Sequence, residues 1–220
     1  MIWVLARCQR LAKITRKGYR MTRHNVAILV GSLRKESLNR KIALSVAEFA
    51  KNTLDCRLLQ IGDLPLYNED IDVDPPAQYE RFREEVGMAD GVLFCTAEYN
   101  RGLPAALKNA LDVGSRPYGH SVWDKKPAAI ISASPGPIGG FGANHQLRQS
   151  CVFLNMPVMQ QPEAYLGGVS ADKFDESDRL REGPLRDFVV DLATAFGGWV
   201  DLVQHGKRKI AEDAAHAQRA

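Results

Sequence analysis

Short apolar runs alternate with amphipathic stretches along most of the chain. The apolar runs predict four strands and a short fifth, at residues 26–31, 56–61, 91–96, 128–133 and 158–161. Between them, apolar residues recur every three or four positions, as they do along the buried face of a helix. Strands that alternate with helices in this way are typical of a parallel sheet with crossover helices. The pattern therefore predicts an α/β domain.

Five helices are expected between and after these strands. The first carries Leu38, Ile42, Val46 and Phe49 on one face, at spacings of four, four and three. The charged, alanine-rich segment that starts at Gly206 is expected to fray. The other four helices are predicted at about residues 77–88, 103–113, 143–154 and 184–203.

Right-handed crossovers leave few ways to arrange five parallel strands, and the order 2-1-3-4-5 is the common one. We therefore expect a doubly wound sheet in three layers, α/β/α. Ligands of such sheets bind outside the carboxyl ends of the strands, where the strand order reverses. Here that crevice lies between the first and third strands, and polar loops follow the first, third and fourth strands at residues 31–39, 97–102 and 134–140.

The loop after the first strand has the composition of a phosphate cradle. Free main-chain N–H groups and the dipole of the following helix favour an anion there, and Ser32, Arg34, Ser37 and Asn39 add side-chain donors. A single glycine completes neither the dinucleotide fingerprint nor the Walker pattern, which favours a monophosphate. The alternative is a helix-capping turn with Ser37 as N-cap, in which Arg40 completes no capping box. Both interpretations remain open.

Length and charge narrow the class of protein. With 220 residues and 45% apolar content, the chain can bury one full core. The net charge of +3 comes from residues 1–24, which carry seven basic and no acidic side chains. The remainder has 22 basic and 26 acidic residues and is mildly acidic, which gives no support to nucleic-acid binding.

The basic segment is interpreted as an extension of the domain. Residues 1–24 are expected to form an N-terminal extension, residues 25–204 the domain and residues 205–220 a charged tail. The apolar run at residues 2–6 is too short for a secretory signal, whereas a transit peptide or an over-extended start stays open. No segment is long and apolar enough to span a membrane.

Cysteine and histidine spacing argues against metal chemistry. No C-x-x-C pair occurs, so neither zinc nor an iron–sulfur cluster is expected, and a reducing, cytoplasmic setting is favoured. His120 and His145 are expected at the surface, and Ser134 lacks the glycines of a nucleophile elbow. The four cysteines are Cys8, Cys56, Cys95 and Cys151.

Several short motifs together resemble the NAD(P)H-dependent FMN reductase family, and above all its bacterial chromate and quinone reductases. The likeness covers about residues 25–200. It implies a flavodoxin-like fold that holds FMN tightly without a covalent bond. The motifs are Gly31-Ser32-Leu33-Arg34-Lys35-Glu36-Ser37, Glu98-Tyr99-Asn100, Leu107-Lys108-Asn109-Ala110-Leu111-Asp112 and Gly139-Gly140.

The same resemblance assigns FMN to three loops. Ser32, Arg34, Ser37 and Asn39 would hold the phosphate, with the main chain between them wrapping it. Residues 98–100 would lie along the isoalloxazine, and Ser134 with its neighbours would close its far side. The family usually has proline at the position of Ala97, and the stretch around Pro135 is unusually proline-rich. The full expected set is Gly31, Ser32, Leu33, Arg34, Lys35, Glu36, Ser37, Leu38, Asn39, Ala97, Glu98, Tyr99, Asn100, Ser134, Pro135 and Gly136.

The activity that the resemblance implies is transfer of two electrons from NAD(P)H through FMN to a quinone, chromate or another small acceptor. The flavin N5 carries the hydride, so no catalytic side chain is expected, while Arg101 and Lys108 could attract an oxyanion. Homodimers or homotetramers are also implied. Two alternatives stay open: a single-electron carrier of the flavodoxin type, which typically has a strongly acidic surface, and a non-catalytic nucleotide-binding module.

Overall fold

Strands and helices alternate along residues 23–218, which are the residues that the computed structural model describes. Short 3-10 turns at Glu69–Ile71 and Ala171–Lys173 interrupt two of the connections. The regular elements are β1 (His24–Val30), α1 (Leu38–Phe49), β2 (Leu54–Leu58), α2 (Ala77–Gly87), β3 (Gly91–Thr96), α3 (Ala105–Gly114), β4 (Ala128–Ala133), α4 (Phe141–Phe153), β5 (Ala164–Leu166) and α5 (Pro184–Ala217).

The five strands are all parallel and follow the order β2-β1-β3-β4-β5, which confirms the predicted topology. In the register of the sheet, Val26 of β1 lies opposite Cys56 of β2 and Gly91 of β3. Every residue of β3 and β4 is buried, because helices cover both faces of the sheet.

Two apolar cores lie on opposite faces of the sheet and give the three-layer α/β/α arrangement. Alternate residues of β1 supply them, so that Ile28 packs with α1 and α5 while Leu29 packs with α2, α3 and α4. This alternation follows from the two-residue period of a strand. The layers fix the amino ends of α1 and α4 at the carboxyl edge of the sheet.

The position of the fifth strand was predicted wrongly. Within residues 158–161, Val158 makes only an isolated bridge to Ala128, and β5 lies further along the chain, paired with Ile131–Ala133 of β4. Pro157 and Pro162 flank the predicted run. Because proline has no N–H to donate, it ends a ladder of strand hydrogen bonds on both sides of this segment.

The last helix is longer than expected. It does not end near Val203 or fray at Gly206 but continues to Ala217, with every residue from Lys207 onward exposed. Its final turns are rich in alanine, lysine and arginine, whose helix propensity outweighs the cost of about 1 kcal/mol for one glycine. An ion pair of 2.7 Å between Lys209 and Asp213 adds to this. No described helix has the length and apolar character needed to cross a membrane.

A long connection after β2 is fastened to the helices beneath it. The Asn109 carboxamide of α3 accepts a hydrogen bond of 2.8 Å from Tyr67 N and donates one of 2.8 Å to the Pro65 carbonyl. The Tyr79 hydroxyl of α2 donates to the Leu66 carbonyl at 3.0 Å. These contacts pair main-chain groups that no regular element satisfies, and they fix the carboxyl edge of the sheet beside β1.

Candidate functional site

Three loops meet at the carboxyl ends of β1, β3 and β4, around the point where the strand order reverses. The first loop comprises residues 31–37, the second residues 97–104 and the third residues 134–140. Gly31 explains how the first two come close, because a Cβ at this position would lie 3.2 Å from Thr96 Oγ1 and 3.2 Å from Leu107 Cδ2. A larger residue would have to push these side chains aside by a few tenths of an ångström, so glycine lets β1 end close to the next strand and helix.

The first loop presents a row of free main-chain donors. Within the described part of the chain, none of the N–H groups of residues 32–37 donates a hydrogen bond. The loop leads straight into α1, whose amino end carries the positive pole of the helix dipole. The Arg34 side chain is exposed beside it and has no ion pair with another described residue. This arrangement fits a phosphate group.

Two of the predicted phosphate ligands have other partners. Ser37 is the N-cap of α1 and accepts a hydrogen bond of 3.2 Å from Arg40 N, so the capping turn and the free donors coexist. Asn39 is buried, and its carboxamide bonds both main-chain groups of Ala133 in β4, at 3.0 and 3.1 Å. Its side chain therefore joins α1 to the sheet, and its contact with phosphate stays a prediction.

The second loop contains a tight two-residue turn. Tyr99 and Gly102 exchange main-chain hydrogen bonds of 3.1 and 3.0 Å, and Asn100 and Arg101 between them have φ values of 52° and 67°. Positive φ at both central residues is the geometry of a type I′ turn, in which side chains other than glycine are strained by about 1 kcal/mol or more each. The turn holds both side chains out at the rim of the crevice.

Glu98 connects the second loop to the third. Its Oε2 accepts a hydrogen bond of 3.0 Å from Ala143 N, in the first turn of α4. The N-cap residue of α4 is Gly140, which has no side chain to accept a hydrogen bond. The carboxylate of Glu98 therefore acts as the capping acceptor. The carboxylate thus faces the helix, and the placement of residue 98 along the flavin ring stays a prediction.

Tyr99 crosses the crevice and contacts the first loop. Its hydroxyl donates a hydrogen bond of 3.2 Å to Ser32 Oγ, while its ring stays half exposed. Arg101 is the most exposed charge of the turn, with its nearest carboxylate oxygen, on Glu98, 3.6 Å away. An ion pair this long and exposed leaves the guanidinium free to meet an anion.

The third loop is shaped by contact with β5. Ser134 N donates to the Leu166 carbonyl at 3.0 Å, and Ser134 Oγ accepts from Gly136 N at 3.1 Å. Gly139 and Gly140 both have left-handed backbones, with φ of 65° and 75°. A Cβ on Gly139 would lie 2.5 Å from the carbonyl carbon of Tyr165, so the Gly139-Gly140 motif is needed for the loop to lie flat against the strand.

A second depression, which the sequence analysis did not foresee, opens on the outer side of the first loop. This outer cleft has a volume of about 730 Å³ and lies between residues 32–36 and the end of β2. Arg40, Gln60 and Gly62 line it, although no role was predicted for them. The available signal was the concentration of three cationic residues within positions 34–40.

No cluster of three or more histidine, cysteine or acidic side chains suited to a metal ion occurs among residues 23–218. The described cysteines are free thiols: Cys95 and Cys151 are buried and Cys56 is partly buried. Cys95 and Cys151 therefore pack as small apolar residues, while Cys8 lies outside the described residues. Burial raises the pKa of Cys151 to about 12, which keeps the thiol protonated at neutral pH.

The order of the strands, the crevice between β1 and β3 and the free donors ahead of α1 define a flavodoxin-like protein with a site for a phosphorylated ligand. Comparison with known proteins narrows this class. The sequence model of the NADPH-dependent FMN reductases matches residues 24–170, and the chain belongs to that family.

Relatives match about four-fifths of this chain and nearly all of their own length. A quinone reductase of Pseudomonas putida is 56% identical over 180 residues, which are 81% of this chain and 96% of that protein. A 2-hydroxy-1,4-benzoquinone reductase of a Burkholderia species is 39% identical over 175 residues, or 80% of this chain and 95% of that protein. Among solved structures, the flavoenzyme NAD(P)H:(acceptor) oxidoreductase FerB from Paracoccus denitrificans superposes with a TM-score of 0.77 at 38% identity, covering 80% of this chain and 97% of FerB.

Proposed function

We propose that this chain is an NAD(P)H-dependent FMN oxidoreductase that delivers two electrons to quinones. The observation that carries the proposal is the first loop, whose unpaired N–H groups stand ahead of α1 at the switch point of the sheet. Membership of the FMN reductase family supports FMN as the ligand and NAD(P)H as the donor. The names of the relatives support a quinone as the acceptor.

The residues of the crevice fit FMN. The N–H groups of residues 32–37, the Ser32 hydroxyl and the Arg34 guanidinium would hold its phosphate, and the main chain at Tyr99, Asn100 and Gly136 would border its ring. When bound, FMN supplies the redox chemistry, accepting a hydride from NAD(P)H and passing two electrons to the acceptor. The overall reaction converts NAD(P)H, a quinone and one proton into NAD(P)⁺ and a hydroquinone. The protein binds, orients and shields the reactants.

The absorption spectrum and the turnover of the purified protein test the proposal. We expect a yellow protein with one FMN per chain, which NADPH bleaches without oxygen and 1,4-benzoquinone restores, with sustained NAD(P)H oxidation. A yellow protein that passes single electrons but shows no quinone-dependent oxidation would identify a carrier instead. A colourless protein that takes up no added FMN would leave a non-catalytic module and contradict the proposal.

Arg34 provides a direct test of the phosphate site. Because it lacks any ion pair with the described residues, Arg34→Ala removes a charge-assisted hydrogen bond without leaving a partner unpaired. Such bonds contribute about 2 kcal/mol, so the Kd for FMN should rise roughly thirtyfold, as measured by quenching of flavin fluorescence. Arg208→Ala, an exposed arginine on α5, is the matched control and should leave the Kd unchanged. Equal affinities in both variants would remove Arg34 from the site.

The proposal extends to oxyanion acceptors such as chromate. Arg101 stands at the rim of the crevice, weakly paired and exposed, and Lys108 is already held by Asp112 at 2.6 Å. Arg101 is thus the better candidate for attracting an anion, and Lys108 the weaker one. In the turnover assay, chromate in place of benzoquinone tests this part separately.

We also propose that the chain assembles as a homodimer or homotetramer in the cytoplasm. Leu107 and Leu111 of α3 are buried and belong to the core. Exposed apolar side chains lie nearby at Tyr118 and Phe153, which line a depression of about 850 Å³. Contiguous exposed aromatic residues are typical of contact surfaces. Free thiols support a reducing compartment.

A further inference from the structure

The outer cleft has an apolar floor and a polar rim. Side chains at the ends of β1 and β2, among them Val30 and Leu58, form the floor, and Gln60 stands at the rim. Leu33 closes one end against Gly62, where a Cβ would lie only 3.1 Å from Leu33 Cδ2. A volume of about 730 Å³ is in the range of pockets for small molecules. The floor suits a flat heterocycle.

The charges around this cleft are unbalanced. Its two acidic residues, Glu36 and Asp178, are both paired with Lys41, at 3.1 and 2.7 Å. Three further cations line the cleft, and none of them has an ion pair with a described residue: Arg34, Lys35 and Arg40. A phosphate of FMN in the first loop would pair with Arg34. Lys35 and Arg40 would then still lack a carboxylate partner among the described residues, next to an apolar floor.

The cleft and the crevice share Ser32 as a common wall. Ser32 lines the cleft and also receives the hydrogen bond from Tyr99 that crosses the crevice. A dinucleotide could occupy both the crevice and the cleft, because it carries two ring systems joined by a charged link. NADPH differs from NADH only by a phosphate on the adenosine 2′ oxygen, and a dianion of this kind is what Lys35 and Arg40 would recognise.

We propose that the outer cleft binds the adenosine 2′-phosphate of NADPH, and that Arg40 and Lys35 make the enzyme prefer NADPH to NADH. The inference rests on the proposed function and deepens it by naming the donor. Adenine lies on the apolar floor, within reach of the Gln60 carboxamide, and the 2′-phosphate meets the two cations at the rim. Inorganic phosphate could bind only the two cations at the rim, because it has no ring to place on the apolar floor.

Arg40→Gln tests the proposal by steady-state kinetics with both donors. The kcat/KM for NADPH should fall about tenfold relative to that for NADH, since one charge-assisted hydrogen bond to a phosphate is removed. Folding is not at risk, because the Arg40 side chain is exposed and has no ion pair with a described residue. Arg208→Gln, the same substitution on an exposed part of α5, is the matched control and should leave the ratio of the two donors unchanged.

Titration calorimetry gives a second readout that needs no turnover. Adenosine 2′-phosphate should bind the wild-type protein more tightly than adenosine 5′-phosphate does, and Arg40→Gln should abolish this difference. A wild-type enzyme without preference for NADPH, or two adenosine phosphates that bind equally, would overturn the proposal. So would loss of FMN from Arg40→Gln, because the cleft would then belong to the FMN phosphate. Absence of FMN and turnover from the wild type would instead refute the proposed function.

Discussion

Gly139→Ala is expected to lower the free energy of unfolding by about 4 kcal/mol. An alanine at φ of 65° is strained by about 1 kcal/mol. Its Cβ would also lie 2.5 Å from the carbonyl carbon of Tyr165 and 2.8 Å from the amide nitrogen of Leu166. Both atoms belong to the backbone of β5 and cannot rotate away, so overpacking of up to about 3 kcal/mol is added.

The same substitution should damage FMN binding, because the third loop must lift away from β5 to make room. We expect the Kd for FMN to rise at least about tenfold, in line with the loss of one or two main-chain hydrogen bonds. Gly168→Ala is the matched control, since its φ is 67° but its Cβ would have nothing within 4 Å. It should cost only about 1 kcal/mol. Urea unfolding and flavin fluorescence measure both effects, and equal losses in the two variants would refute the steric argument.

The sequence was sufficient to predict the sheet, because central parallel strands leave a strong signal. Residues 91–96 and 128–133 are nearly continuous apolar runs, and they form β3 and β4 with the predicted bounds. Right-handed crossovers then left few possible orders. The edge strand β5 has only three residues, which are too few to show a periodic pattern. Its position could not be predicted, because it depends on which segment after Pro157 and Pro162 pairs with β4.

The main-chain part of the site was also predictable, whereas side-chain partners were not. A polar loop between an apolar strand and an amphipathic helix predicts free N–H groups wherever it occurs. By contrast, Asn39 bonds Ala133 and Glu98 bonds Ala143. These residues lie far apart in the sequence, so no local pattern reports their contacts. A polar side chain beside the phosphate-binding loop can therefore stabilise the fold, bind the ligand, or do both, and sequence position does not distinguish these roles.

Asp72→Ala is expected to lower the free energy of unfolding at pH 7 by about 3 kcal/mol. Asp72 accepts hydrogen bonds of 2.6 Å from Arg83 and 2.8 Å from the Tyr67 hydroxyl, and the Asp72 and Arg83 side chains are each 12% exposed. Removing the carboxylate leaves the Arg83 charge poorly solvated, which costs about 3–5 kcal/mol in fully buried pairs. The lower value applies because some solvent still reaches both groups.

Acid should remove the same contribution in the wild type. Burial alone would raise the pKa of Asp72, but the hydrogen bonds from Arg83 and Tyr67 outweigh it and hold the pKa below its ordinary value. The unfolded chain therefore binds the proton first as the pH falls. The stabilisation is complete above the unfolded pKa of about 4 and disappears as the pH drops through the folded pKa.

Urea unfolding at several pH values separates this effect from a general loss of charge. The difference between wild type and Asp72→Ala should be constant from pH 7 to about pH 5 and shrink below about pH 4. Asp74→Ala changes an exposed aspartate of the same connection and should cost less than about 0.5 kcal/mol. If the two variants are equally stable at pH 7, the ion pair does not hold this connection down. The hydrogen bonds from Asn109 and Tyr79 to the main chain of the connection after β2 would then be what stabilises the edge of the sheet beside the first loop.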